Sequence, residues 1–299
     1  MHRKKILILG SSGQLGTTIS ELPWQFIDLD AVLANRNPNS DEEFIDMTDS
    51  RSIGNLIDKI QPQYIINCAA YTQVDRAEEE ATKCQKINAD AVGQIAASAE
   101  KLGAGLIHFS SDYVYNVNHS NPISESAQVN PTNQYGYSKA VGDSLIKLNT
   151  DRYIIFRTSW VFSKFKNNFI KSMLELLSRE PEIKIVNDQR GALTSCKLLA
   201  EATLEAIGKW QSETYLSGIY HLSNTGYGSW YDIASYLKKR IETQRSLKNE
   251  RLIPIPSIQY PTKAKRPKNS MLECTKFDQD FTIPRKSWQN EIDLLLGEI

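Results

Sequence analysis

Residues 4–16 read KKILILGSSGQLG, and this stretch decides the fold. Four apolar residues, Ile6 to Leu9, run without alternation into a glycine turn, the pattern of a strand buried on both faces. Outward from there, short apolar runs alternate with amphipathic helical stretches. Gln25–Leu29 reads as a second strand, and Tyr64–Asn67, Leu106–Phe109 and Tyr153–Phe156 as further strands. Ile53, Leu56, Ile57 and Ile60 share one helix face, capped by Asp49 or Ser50 and stopped by Pro62. Val92, Ile95, Ala96, Ala99 and Leu102 share another, ended by Gly103 and Gly105. Strand and helix in alternation predict an α/β chain built on a doubly wound parallel sheet covered on both faces.

The pattern loosens after residue 160. Helices are expected near 168–178 and 196–209, and Ser229 with Asp232 caps a third whose face carries Ile233, Ala234, Leu237 and Ile241. Proline-punctuated chain runs from Pro254 to Pro267. No repeat or flexible linker separates the two parts, so a smaller α/β domain packed on the first is expected within the 299 residues. Lys plus Arg (35) equals Asp plus Glu (35), which argues against a nucleic-acid binder. No apolar run approaches the ~18 residues that span a bilayer. The basic start, Met1 to Lys5, precedes only four apolar residues and no small-residue cleavage site, so a cytoplasmic location is expected. Cys68, Cys84, Cys196 and Cys274 form no C-x-x-C pair and lack histidine neighbours at ligand spacing; they read as free thiols with no metal site.

Gly10, Gly13 and Gly16 give G-x-x-G-x-x-G between a strand and a helix, the context in which backbone can approach a diphosphate. Gly10, Ser12, Gly13, Gln14 and Leu15 are therefore expected around a dinucleotide. Asp30, 20 residues past Gly10 and read as the end of the second strand, would take the ribose hydroxyls and favour NADH. Arg36 would offset it for a 2′-phosphate, leaving NADPH or NADH open. Asp46 and Met47 fit beside the adenine, though a solvated loop carboxylate explains Asp46 equally well. Cys68, Ala69, Ala70 and Tyr71 follow a strand at the mouth where the cofactor should run.

Tyr135-Gly136-Tyr137-Ser138-Lys139 places Tyr135 and Lys139 one helical turn apart. An ammonium near a phenol stabilises the phenolate and makes it a usable proton donor near neutral pH. Ser111 follows an earlier strand, where a hydroxyl faces the ligand crevice.

With these motifs the chain resembles the extended short-chain dehydrogenase/reductase superfamily and, within it, the dTDP-4-dehydrorhamnose reductases. The resemblance is carried by GQLG (13–16), NCAAYTQVDRAE (67–78), SSDYVY (110–115), YGYSK (135–139), RTSWVF (157–162), NNF (167–169), DQRGALT (188–194), SWYD (229–232) and YPTKAKRPKNSML (260–272). It implies a Rossmann-type NAD(P)-binding domain over 1–162 and 185–220, with a nucleotide-sugar domain over 163–184 and 221–299. It implies Tyr135 as acid, Lys139 as its partner and a ribose contact, and Ser111 as the third catalytic member. Asp112 and Tyr113 would approach the sugar, and Trp160 would pack on the nucleotide sugar. Asn168 and the basic run Lys263, Lys265, Arg266 and Lys268 would meet the diphosphate, Arg266 foremost. The implied activity is NAD(P)H-dependent reduction of the C4 keto group of dTDP-4-dehydro-β-L-rhamnose, feeding a bacterial cell-surface glycan. The nucleotide sugar is the implied partner of a monomer or weak homodimer, with no nucleic acid and no membrane.

Departures from the family are Leu193, where proline is usual, and Asn116-Val117, where Asp-Gly is usual; both bear on the identity of the sugar. Thr18 stands where some members carry a magnesium-binding glutamate, so no such metal is expected. Asp112-Tyr113 in place of Asp-Glu argues against a dehydratase. A reductase of another dTDP-4-keto sugar and a catalytically silent dinucleotide-binding subunit stay as alternatives.

Overall fold

The computed structural model describes residues 3–117, 119–212, 214, 216–243 and 247–298. Among them, seven parallel strands form the main sheet: β1 (Lys4–Leu9), β2 (Leu29–Asn35), β3 (Glu43–Phe44), β4 (Tyr64–Asn67), β5 (Gly105–Ser111), β6 (Tyr153–Thr158) and β7 (Gly218–His221). Their order is β7-β6-β5-β4-β1-β2-β3. The chain winds outward from β1 in both directions, so a crevice opens at the carboxyl ends of β1 and β4. Helices α1 (Gln14–Ser20), α2 (Ser50–Ile60), α3 (Ala91–Leu102), α4 (Gln134–Asn149) and α5 (Phe169–Arg179) follow, then α6 (Cys196–Gln211), α7 (Trp230–Glu242) and α8 (Trp288–Leu296). Local chemistry sets their ends. The Asp49 carboxylate accepts from Arg51 N–H at the start of α2. Gly103 adopts φ 64° after α3, where glycine is favoured. Ser229 and Asp232 close a reciprocal capping box on α7.

The expected strand at Gln25–Leu29 is corrected: Trp24–Ile27 is a 3₁₀ turn, Asp28 is left-handed at φ 56°, and β2 begins only at Leu29. The apolar run had another use. Trp24 is buried and its indole N–H donates to the Ile19 carbonyl, so it plugs the end of α1 rather than extending the sheet.

A second core gathers Phe162, Ile170, Met173, Leu177, Ile183, Ile185, Leu193, Ile233, Leu237, Trp288 and Ile292. Around it lie the parallel pair Glu182–Val186 with Arg251–Ile255, and a small sheet of Gly228–Ser229, Arg190–Gly191 and Asn269–Ser270. The expected domain boundaries need adjustment. Ile185 and Leu193 belong to this second core, whereas Phe277 and Phe281 return to the main sheet, their rings 6.3 and 5.9 Å from that of Phe156. Leu193 is buried there, so its departure from the usual proline is a packing feature. Among the described residues, no helix is long and apolar enough to cross a membrane, and no cluster of His, Cys, Asp or Glu is disposed to hold a metal.

Candidate active site

The glycine loop leaves β1 with Gly10 at φ 77°. A Cβ on Gly10 would lie 2.7 Å from Ala69 N, and one on Gly16 would lie 2.0 Å from the Gly10 carbonyl oxygen. Only glycine keeps this cradle open, which is the fit a diphosphate requires. Ser12 is exposed on the loop and Gly13 leads into α1. Gln14 reaches across to the Val161 carbonyl at 3.4 Å, and the Leu15 side chain is spent on the core. Cys68 N–H donates to the Leu9 carbonyl, bringing Cys68, Ala69 and Ala70 beside the loop.

Asp30 is not at this rim. It is the second residue of β2, paired with Lys5 at the opposite edge of the sheet and 3.6 Å from the Arg3 guanidinium. The late start of β2 puts Asn35 at the carboxyl end instead. Asn35 Nδ2 donates to Ser11 Oγ at 3.0 Å, and Arg36 follows it. Asp46 lies nearby, 3.7 Å from Arg36 Nη2. Hydrogen bonds from the Thr48 backbone, then its hydroxyl, together with Arg36, hold Asp46 below the usual carboxylate range against the effect of burial. Met47 packs against the core beside it.

At the centre, Asn133 caps α4 through Gly136 N–H at 2.7 Å and so sets the first turn that carries Tyr135. Burial pushes the Tyr135 phenol above its ordinary value, while the neighbouring Ser111 hydroxyl works in the other direction. Ser111 ends β5. The ring of Tyr113 meets Tyr135 edge-on at 5.5 Å. Asp112 is buried, which raises its carboxyl to about 6, with hydroxyls of Ser270 and Ser111 opposing. Lys139, expected to face the phenol, turns its Nζ to the Phe109 carbonyl at 2.7 Å and His108 Nε2 at 3.1 Å. Its burial lowers it to about 8. Tyr71 is clamped by Asn88, which accepts from Tyr71 N–H at 2.8 Å and donates to its carbonyl at 3.0 Å.

The cleft continues under the smaller domain. Trp160 is held at φ 47°, a strained conformation for a large side chain, and stacks on Trp230 at 3.8 Å. A cavity of about 340 Å³ runs past Tyr113, Trp160, Phe169, Trp230 and Ser270. Asn168 instead serves α5 as its cap, with Nδ2 given to the Ser163 carbonyl. Arg266 spans to Asp75 at 2.7 Å and lines the same cavity as Tyr113, joining the proline-punctuated segment to the segment that carries Asp75. A second lobe of about 880 Å³ holds Arg190, Lys265 and Lys268. Lys268 lies 3.6 Å from Asp188 and Lys263 pairs with Glu79, whereas Arg190 and Lys265 form no ion pair among the described residues. Sequence reasoning missed Arg190, Asn35 and His108. Arg190 lies inside the DQRGALT run, the signal that points to it.

The chain matches the family described as the RmlD substrate binding domain over residues 4–299. It is 35% identical to the dTDP-4-dehydrorhamnose reductases of Shigella flexneri and Escherichia coli K12, in each case covering 98% of this chain and 97% of the relative. Its fold superposes on the crystal structure of dTDP-4-dehydrorhamnose reductase from Bacillus anthracis in complex with NADP, with TM-score 0.89, 30% identity and 99% and 100% of the two chains covered. From the cradle at Gly10 to the cleft under Trp160, this chain belongs to the RmlD substrate binding domain family.

Proposed function

We propose that the chain catalyses NAD(P)H-dependent reduction of the C4 keto group of dTDP-4-dehydro-β-L-rhamnose to dTDP-L-rhamnose. The observation that carries this reading is the placement of Ser111 at the carboxyl end of β5 beside Tyr135 in the first turn of α4, with Lys139 buried one turn further on. The open glycine cradle fits a dinucleotide, with Gly10, Gly13 and the backbone of 68–70 around it. The dinucleotide supplies the hydride when bound. Ser111 orients the substrate carbonyl, and the Tyr135 hydroxyl donates its proton to the oxygen on which charge develops. Tyr135 is kept fully protonated by its burial, so it enters the reaction as the acid. Asp112 and Tyr113 face the sugar, and Trp160 with Trp230 forms an aromatic wall for the nucleotide sugar. Arg266 and Arg190 offer cations to its diphosphate. Asn35 and Arg36 at the end of β2, with Asp30 removed to the other edge, support NADPH over NADH.

The test follows NAD(P)H absorbance with dTDP-4-dehydro-L-rhamnose generated enzymatically, and identifies the product by NMR. Oxidation with a rhamnose product supports the reading. Oxidation with a different sugar retains the mechanism and changes the substrate. Dinucleotide binding without turnover on any 4-keto sugar overturns it in favour of a silent binding subunit.

A further inference from the structure

His108 and Asn67 are paired across β5 and β4, and both are buried. Asn67 Nδ2 lies 3.1 Å from His108 Nδ1, and His108 Nε2 lies 3.1 Å from Lys139 Nζ. The orientation of the Asn67 amide is fixed from outside, because Oδ1 accepts from Ala69 N–H at 3.1 Å. Nδ2 therefore donates to His108 Nδ1. An imidazole that accepts at Nδ1 carries its proton at Nε2. That Nε2–H points at Lys139 Nζ, which must then accept, and an ammonium has no lone pair to accept with. The other contact of Nζ, to the Phe109 carbonyl, uses one of its N–H groups in either state.

We propose that His108 is a positioning residue that favours the uncharged amine form of Lys139 in the dinucleotide-free protein, so that at pH 8 and above Lys139 takes up a proton when the dinucleotide docks. This rests on reading the glycine loop as the dinucleotide site. Charging Lys139 has a defined consequence. The proton on Nε2 passes to Nζ, one proton from solvent arrives at Nδ1, and the Asn67 amide turns its oxygen to receive it. The turn frees Ala69 N–H, the group that lies against Gly10 in the phosphate cradle. The proton on Lys139 and the backbone that meets the cofactor thus form one hydrogen-bonded unit.

The surroundings agree. Burial holds the His108 imidazole well below its ordinary value, so it is neutral and carries a single ring proton. The groups facing Lys139 are His108 from β5, Cys84 from the helix Ala81–Gln85, and Asp143 from α4 itself. Cys84 is held as a thiol by burial, and Asp143 is engaged by Arg157 Nε at 2.9 Å.

Lysine ¹³Cε NMR of the dinucleotide-free protein, with Lys139 assigned by loss of its signal in Lys139→Arg, reads the proton directly. The expected midpoint is near 8, and a midpoint at the ordinary ~10.4 overturns the proposal. In Asn67→Asp a carboxylate faces Nδ1 and demands a proton there, so Nε2 accepts and the Lys139 midpoint should rise by roughly one unit or more. His108→Gln can offer Lys139 a carbonyl oxygen and should act in the same direction; it serves if Asn67→Asp does not fold. An unchanged midpoint in the folded variant overturns the role of His108. Calorimetry of NADPH and NADH binding at pH 8, in buffers of different ionisation enthalpy, should show uptake of roughly half a proton by the wild type. Binding without uptake overturns the coupling alone. Absence of binding by either dinucleotide overturns the coupling together with the functional reading, while the NMR midpoint still decides the state of Lys139.

Discussion

The two sides of the cleft are built on opposite principles. On the side of the main sheet, Ser111, Asp112, Lys139 and His108 are buried, and their polar atoms are engaged by named partners except Asp112 Oδ2, which has none among the described residues. On the side of the smaller domain, Arg190 is exposed and Lys265 has no counter-charge among the described residues. A dry, preorganised wall suits proton transfer, since its groups need not reorganise as charge develops. A wet, cationic wall suits capture of an anionic ligand, since its charges are not already neutralised.

The division would break first at Tyr135. Tyr135→Phe should lower kcat by ~10²–10⁴ with an unchanged circular dichroism spectrum. Retention of more than about a tenth of the wild-type rate would remove Tyr135 from the acid role. Arg36→Ala at the dinucleotide rim should weaken NADPH binding by roughly 10-fold and leave NADH binding nearly unchanged, as titration by fluorescence would read. Equal losses for both would place Arg36 away from the 2′-phosphate. On the wet wall, Arg190→Ala should raise KM for the nucleotide sugar by about 5–10-fold at constant kcat and flatten its salt dependence. A fall in kcat instead would erase the distinction between the two walls.

The smallest effect tests the cost of dryness. The Asp112 carboxyl titrates near 6 in the fold against 3.8 for the free side chain. Its raised value favours the protonated form, so the fold carries a full penalty above pH ~6 and none below pH ~4. Asp112→Asn should therefore raise the melting temperature by roughly 3–5 °C at pH 8 and leave it unchanged near pH 4. A gain of equal size at both values would mean that burial of the charge is not what strains this wall.

Much of the dry wall was legible in the sequence. The glycine loop, Ser111 and the Tyr135/Lys139 spacing depend on local geometry, one strand end or one helical turn, which a residue pattern can express. Asp30 was misplaced for a traceable reason. The apolar run at Gln25–Leu29 looks like a strand, and only the pairing of Lys4 with Leu29 shows that the strand starts where that run stops. A shift of a few residues carried the carboxylate from one edge of the sheet to the other. His108 was invisible for a different reason. In LIHF it is one residue of an apolar strand, and its meaning depends on Asn67, 41 residues away, through cross-strand register. The wet wall was harder still, because Arg190 and Lys265 meet only when two strand segments and a proline-punctuated loop converge.

The return of Phe277 and Phe281 to the ring of Phe156 has a bearing on how the protein is made. On the ribosome, β1 through β6 emerge long before the side chains that seal one face of β6. Until residue 281 has cleared the exit tunnel, Phe156 and Tyr220 lack the rings of Phe277 and Phe281, and a nascent chain would present that apolar face to whatever chaperone is at hand. The larger unit is first to be translated and among the last to be finished, so fragments cut near residue 220 should be aggregation-prone rather than independent folding units.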